Sequence, residues 1–170
     1  MEKIDVVEKN NILLLLSGPE PQRTILEEKL VAQANGIDET FICIRGLPQD
    51  QLNKPNLKNI QFINHVSAKD LSQYIQESKM VVCRTGYSTV MDLIKLQKKA
   101  LMIPTPGQTE QEYLGQRLKQ LDWFIIQDQQ NLDLQHGIRE CQLSTNIIPA
   151  LKFDMFCKSI DAFSIQYFGA

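Results

Sequence analysis

The chain is poor in the features that announce whole classes of function. No apolar run exceeds Ile12 to Leu16, far short of the roughly 20 residues that cross a bilayer, so no membrane-spanning helix is expected. The first ten residues mix Glu2, Lys3, Asp5, Glu8 and Lys9 and lack the basic start and cleavage site of a secretory signal. The expected compartment is the cytoplasm. Basic excess is absent too: 18 Lys and Arg stand against 20 Asp and Glu, a net charge of -2. That excludes the electrostatic footprint of a nucleic-acid binder, and any phosphate has to be met by local geometry. Cysteines 43, 83, 141 and 157 show no C-x-x-C spacing, and histidines 65 and 136 are far apart, so neither a zinc site nor a redox pair is expected. Neither a G-x-x-x-x-G-K-[ST] loop nor a G-x-G-x-x-G turn is present, which argues against P-loop and dinucleotide-binding readings.

What the chain does contain is a regular alternation of short apolar runs with helix-period segments, the mark of a parallel sheet with crossover helices. Strands are expected at 11–17, 40–45, 60–63, 79–83, 99–103 and 123–126, most without polar alternation, as in strands covered on both faces. Helices are expected at 22–34, with Pro21 at the start, at 67–77 behind Ser67, at 88–97 and at 108–120. One more is expected around 132–141, and a closing helix over 148–168. Residues 46–59, rich in Pro and Asn, read as a loop. Cys43 and Cys83, inside apolar runs, read as buried thiols.

In open sheets of this kind ligands sit beyond the carboxyl ends of the strands, where loops feed helix starts. Three such ends stand out. SGPEPQRT at 17–24 offers Gly18 ahead of a helix. CRTGYSTVMD at 83–92 offers Thr85, Gly86, Ser88 and Thr89, a cradle suited to a diphosphate or ribose. Asp92 lies about 200° around that helix from Val90; it reads either as a solvated carboxylate or as the acceptor for a ribose diol. PTPGQTEQEYLGQRL at 104–118 places Gln111 on the apolar stripe of Leu114 and Leu118, where it either caps the helix locally or faces a wet cleft. Glu112 beside it is suited to accept protons from sugar hydroxyls. No Ser/His/Asp or Cys/His arrangement emerges, and no catalytic residue is assigned in this chain.

Taken in order, VVCRTGYSTVMDLIKLQKKALMIPTPGQTEQEYLGQRL at 81–118 resembles the C-terminal domain of the family 28 glycosyltransferases, the group of the peptidoglycan GlcNAc transferases. The resemblance covers the layout of residues 11–126. It implies a Rossmann-like α/β domain of about six parallel strands with helices on both faces, the C-terminal half of a GT-B fold, binding a UDP-sugar donor. It implies Asp92 at the ribose; Thr85, Gly86, Ser88 and Thr89 at the diphosphate and nucleoside; Gln111 and Glu112 at the sugar; and Phe62 and Ile63, with Val66 nearby, at the uracil. Glu112 replaces the family's second Gln, and Gly18 stands in a loop that lacks the family's Gly-Gly-Ser pattern, with Glu20 close by.

The same resemblance implies metal-independent transfer without a cofactor, an acceptor half carrying the base and lying outside this chain, and a lone domain that binds donor but does not turn over. Residues 1–10 then read as a linker from an N-terminal domain, and 11–170 as the donor domain. Membrane attachment would come through the missing half. The competing readings are a naturally separate donor subunit with a membrane-bound partner, a flavodoxin-like nucleotide-binding module, and an epimerase of related architecture. Phe153, Phe156, Ile160, Phe163 and Tyr167 recur at near-helical spacing, an apolar stripe expected to be sticky and to drive dimerisation.

Overall fold

A computed structural model of the chain describes residues 6–48, 54–146 and 148. The elements follow one another as β1 (Lys9–Leu15), α1 (Gln22–Ala34), β2 (Thr40–Ile44), β3 (Ile60–Ile63), α2 (Ala68–Glu77), β4 (Ser78–Cys83), α3 (Tyr87–Leu96), β5 (Ala100–Met102), α4 (Thr109–Gln120), β6 (Ile125–Ile126) and α5 (Leu134–Leu143). The strands form one six-stranded sheet in the order β3-β2-β1-β4-β5-β6, every pair parallel. Residue alternation divides the core into two layers. Ile12, Leu14, Met80, Val82 and Leu101 meet α1 and α5 on one side, while Leu13, Leu15, Val81, Cys83 and Met102 meet α2, α3 and α4 on the other. Strands buried on both faces read as continuous apolar runs for this reason. Cys43, Cys83 and Cys141 are free and buried.

The expected elements are all present, with shifted ends. β1 starts earlier because Lys9 pairs with Ser78 ahead of the apolar run. β6 is shorter than 123–126, because the Trp123 N–H bonds back to the Leu118 carbonyl and Asp122 takes φ 55°, so the approach to the strand is a helix-closing turn. Ser67 caps α2, accepting from the Asp70 N–H at 3.1 Å. Asp133 does the same for α5 through the His136 N–H, which starts that helix at 134. Residues 46–48 and 54–59 contain no helix or strand. The expected closing helix and its aromatic stripe lie outside the described residues, apart from Ile148, which is buried. No described helix is long and apolar enough to cross a membrane.

The order places β1 and β4, neighbours in space but far apart in sequence, at the sheet centre, with connections leaving in opposite directions. Beyond their carboxyl ends lies the topological switch point. Gly46 closes one flank of this edge: at φ 65°, an added Cβ would sit 2.6 Å from the Leu16 carbonyl oxygen. Left-handed strain of about 1–2 kcal/mol adds to that overlap. Gly46→Ala is therefore expected to lower stability by about 2 kcal/mol or more in urea denaturation, and a loss below about 0.5 kcal/mol would contradict the placement of this turn.

Candidate functional site

Four helices begin at the carboxyl edge close to the sheet centre, and their free N–H groups are treated differently. At α1 the Glu20 carboxylate accepts from the Thr24 N–H at 3.2 Å, so the helix is closed by its own anion. α2 is closed by Ser67. α4 carries Glu110 and Glu112 in its first turn, and Glu112 accepts from the Gly107 N–H at 2.9 Å. α3 alone among these has Gly86 at its start, no side-chain cap and no acidic residue in its first turn. Its first amides are left for an external acceptor, and the helix dipole favours an anion there.

A buried arginine shapes this edge. Arg84, 1% exposed, follows β4 and aims its guanidinium beneath the neighbouring loops. Nη1 donates to the Ile103 and Pro104 carbonyls at 3.3 and 3.1 Å. Nη2 donates to the Gln22 carbonyl at 2.8 Å and to Gln129 Oε1 at 2.6 Å. Gln129 Nε2 in turn donates to Gln22 Oε1 at 2.8 Å. One side chain thereby ties the ends of β4 and β5, the first turn of α1 and the segment after β6. No carboxylate faces it, and burial pushes its pKa down to about 10, which leaves it charged at neutral pH. Its Nε has no partner among the described residues.

A second network sits at the β1–β2–β3 flank. Glu27, 2% exposed, accepts from Arg23 at 2.6 Å, Arg45 at 3.1 Å and Lys54 at 3.0 Å, and Arg23 also pairs with Glu20 at 2.6 Å. Burial pushes the Glu27 carboxyl up, but the hydrogen bonds from Arg23, Arg45 and Lys54 outweigh it and hold it below its ordinary value of 4.5. The charge of Glu20 is likewise neutralised locally, its pKa lowered by the Thr24 hydroxyl and by Arg23.

The sequence-derived candidates fall into two groups. Ile63, Val66 and the α3 residue Val90 share the layer over α2 and α3; Gly86, Ser88, Thr89 and the half-buried Asp92 lie on the same helix start or just beyond it. Across the edge, Gly18 at φ 103° would direct a Cβ to within 3.9 Å of Thr105 Oγ1, so the loops after β1 and β5 meet over the end of β4. Gln111 acts as the local brace: Oε1 accepts from the Thr105 N–H and hydroxyl at 3.1 and 3.0 Å, and Nε2 donates to Gln108 at 2.6 Å. The Thr85 side chain is fully buried, its hydroxyl donating to the Gln111 carbonyl at 2.9 Å, so that hydroxyl orients α4 and does not line a cleft. Phe62 and Ile63 do not form one patch. Successive strand residues point to opposite faces, and Phe62 enters the α1 and α5 layer with Lys54 Nζ 5.4 Å above its ring. Sequence reasoning overlooked Arg84, Gln129 and the Glu27 cluster; the one signal was an arginine ending an otherwise apolar strand, VVCR.

A doubly wound parallel sheet with an open helix start at its switch point is the fold of a nucleotide-binding half of a GT-B glycosyltransferase. The chain belongs to the glycosyltransferase family 28 C-terminal domain family, whose model matches residues 21–151. It is similar to solved MurG from Acinetobacter baumannii, at 18% identity and TM-score 0.63 over 85% of this chain and 45% of that one. Spinosyn rhamnosyltransferase SpnG, solved with thymidine diphosphate, aligns at 14% identity and TM-score 0.60 over 85% of this chain and 40% of its own. The NMR structure of ALG13 aligns at 13% identity and TM-score 0.58 over 86% of this chain and 93% of that one. The chain thus spans less than half of MurG and SpnG. No curated protein matches its sequence.

Both networks make measurable demands. Arg84→Ala strands acceptors at Ile103, Pro104, Gln22 and Gln129, and a loss of about 3 kcal/mol or more is expected on urea denaturation; Arg84→Lys, which keeps charge but not the fork, should recover less than half of it. Because the folded pKa of Glu27 lies below 4.5, its contribution is fully present above that value and is lost as pH falls through the folded pKa. Stability measured from pH 7 down to about 3 should fall less steeply in Glu27→Gln than in the wild type, though from a lower plateau.

Proposed function

We propose that this chain is the donor-binding domain of a glycosyltransferase and that its donor is a UDP-sugar carrying a hexose or N-acetylhexosamine. The observation that carries the reading is the uncapped start of α3 at the switch point, with Asp92 on the same helix. The diphosphate lies against the amides of residues 87–89, and the Ser88 and Thr89 hydroxyls donate to its oxygens. Asp92 accepts from the ribose diol. The base rests near Ile63 and Val66, and Glu112, whose second oxygen has no partner among the described residues, faces the sugar.

In the reaction, an acceptor hydroxyl oxygen bonds to the anomeric carbon as the bond from that carbon to the diphosphate oxygen breaks. Negative charge then grows on the departing nucleotide, where oriented amides and hydroxyls stabilise it without reorganising. The hydroxyl proton goes to a base supplied from outside this domain. The thymidine diphosphate held by SpnG and the family match support a nucleoside diphosphate as ligand. A second reading draws on the 93% coverage of the ALG13 chain: a domain of this size stands alone in that structure, and here too the acceptor half would be a separate subunit.

Calorimetric titration with UDP, dTDP and ADP checks the assignment. Saturable binding is expected, tightest for UDP and about 10–100-fold weaker in Asp92→Ala, the effect of losing hydrogen bonds to a charged group. Equal affinity for all three, or indifference to Asp92→Ala, would remove the uridine and ribose assignments. No binding of any nucleotide would remove the donor reading for this chain.

A further inference from the structure

A cavity of about 460 Å³ opens between α4 and the segment after β6, within the roughly 300–1,000 Å³ typical of small-molecule sites. Its apolar lining comes from Pro104, Pro106 and Ile126. Its polar lining comes from one face of α4, where Glu112, Gln116 and Lys119 recur at helical spacing, and from Asp128 and Asn131 opposite. Apolar CH surface beside dense hydroxyl-matching groups is the complement of a sugar ring: carboxylates accept hydroxyl protons, the ammonium donates, and amides do both.

Three observations restrict the occupant. The cavity wall is anchored, because Gln129, 6% exposed, is clamped between Arg84 and Gln22, and the Gln129 carbonyl accepts from Lys29 at 2.8 Å. The side chains of Gln116, Lys119, Asp128 and Asn131 make no hydrogen bond or ion pair among the described residues, so they remain available to a ligand. Two carboxylates, Glu112 and Asp128, stand against one ammonium, Lys119, which disfavours an anion. The open start of α3 has the opposite preference.

We infer that this cavity is a carbohydrate subsite that takes a neutral hexose-class ring and excludes uronic acids, and that it selects the sugar of the donor. The inference rests on the donor reading. It gives the bound donor a direction: diphosphate on α3, sugar beyond α4 toward β6.

The test compares UDP, UDP-glucose, UDP-N-acetylglucosamine and UDP-glucuronate by calorimetry on the wild type and on Gln116→Ala/Asp128→Asn, with thermal melts confirming that the variant is folded. At least one neutral UDP-sugar should bind fivefold or more tighter than UDP, and UDP-glucuronate no tighter than UDP. The double variant should lose that gain while keeping its affinity for UDP. Equal affinities for all four ligands, or a gain that survives the double variant, would overturn the subsite and leave the donor reading standing. If UDP itself fails to bind, the donor reading falls, and saturation-transfer NMR with methyl glucoside and methyl glucuronide then decides the cavity alone. Transfer to the glucoside only, lost in the double variant, supports it; transfer to neither or to both overturns it.

Discussion

The functional edge depends on one buried cation. Arg84 leaves the core at the end of β4 and satisfies carbonyls on two other chain segments together with the Gln129 amide. Taking a guanidinium out of water is costly, and the absence of a facing carboxylate shows in its lowered pKa. What offsets that cost is geometric: a planar fork with five donors matches several carbonyls at once. Those carbonyls belong to strand ends, where the ladder stops and backbone groups need new partners. The loops after β4, β5 and β6 and the start of α1 therefore keep a single arrangement.

On that foundation the helix starts are sorted by how their amides are satisfied. α1 is closed by Glu20 and α2 by Ser67, while the α4 turn is braced by Gln111 and Glu112. α3 is left open. A chain with net charge of -2 attracts phosphate poorly over long range, so an anion has to be recognised by oriented backbone at short range. The Glu27 cluster contributes by neutralisation: Arg23 and Arg45 serve an internal carboxylate, and the flank of the edge offers little unpaired charge of its own.

Much of the fold was legible in the sequence for a specific reason. Strands such as NILLLL and KMVVC are apolar on both faces because helices cover both faces, and crossover helices carry one apolar stripe each. Strand order, too, follows from the alternation and from the handedness of parallel connections. Element ends were less legible. The start of β1 depended on pairing with Ser78, and the length of β6 on a turn that closes α4, both contacts between segments that local pattern does not contain.

The sequence by itself determined the α/β class, the three strand ends that converge on the edge, and the residue types gathered there, since apolar period and turn chemistry are local properties. Only the tertiary structure decided what those residues do. It set Phe62 and Ile63 on opposite faces, turned the Thr85 hydroxyl and Gln111 inward as braces, and left α3 open. It also made Arg84, unremarked as a strand's last charge, the tie between loops. Such roles depend on which acceptors lie within about 3 Å, and for Arg84 those acceptors come from residues 22, 103, 104 and 129, whose adjacency exists only after the sheet has assembled.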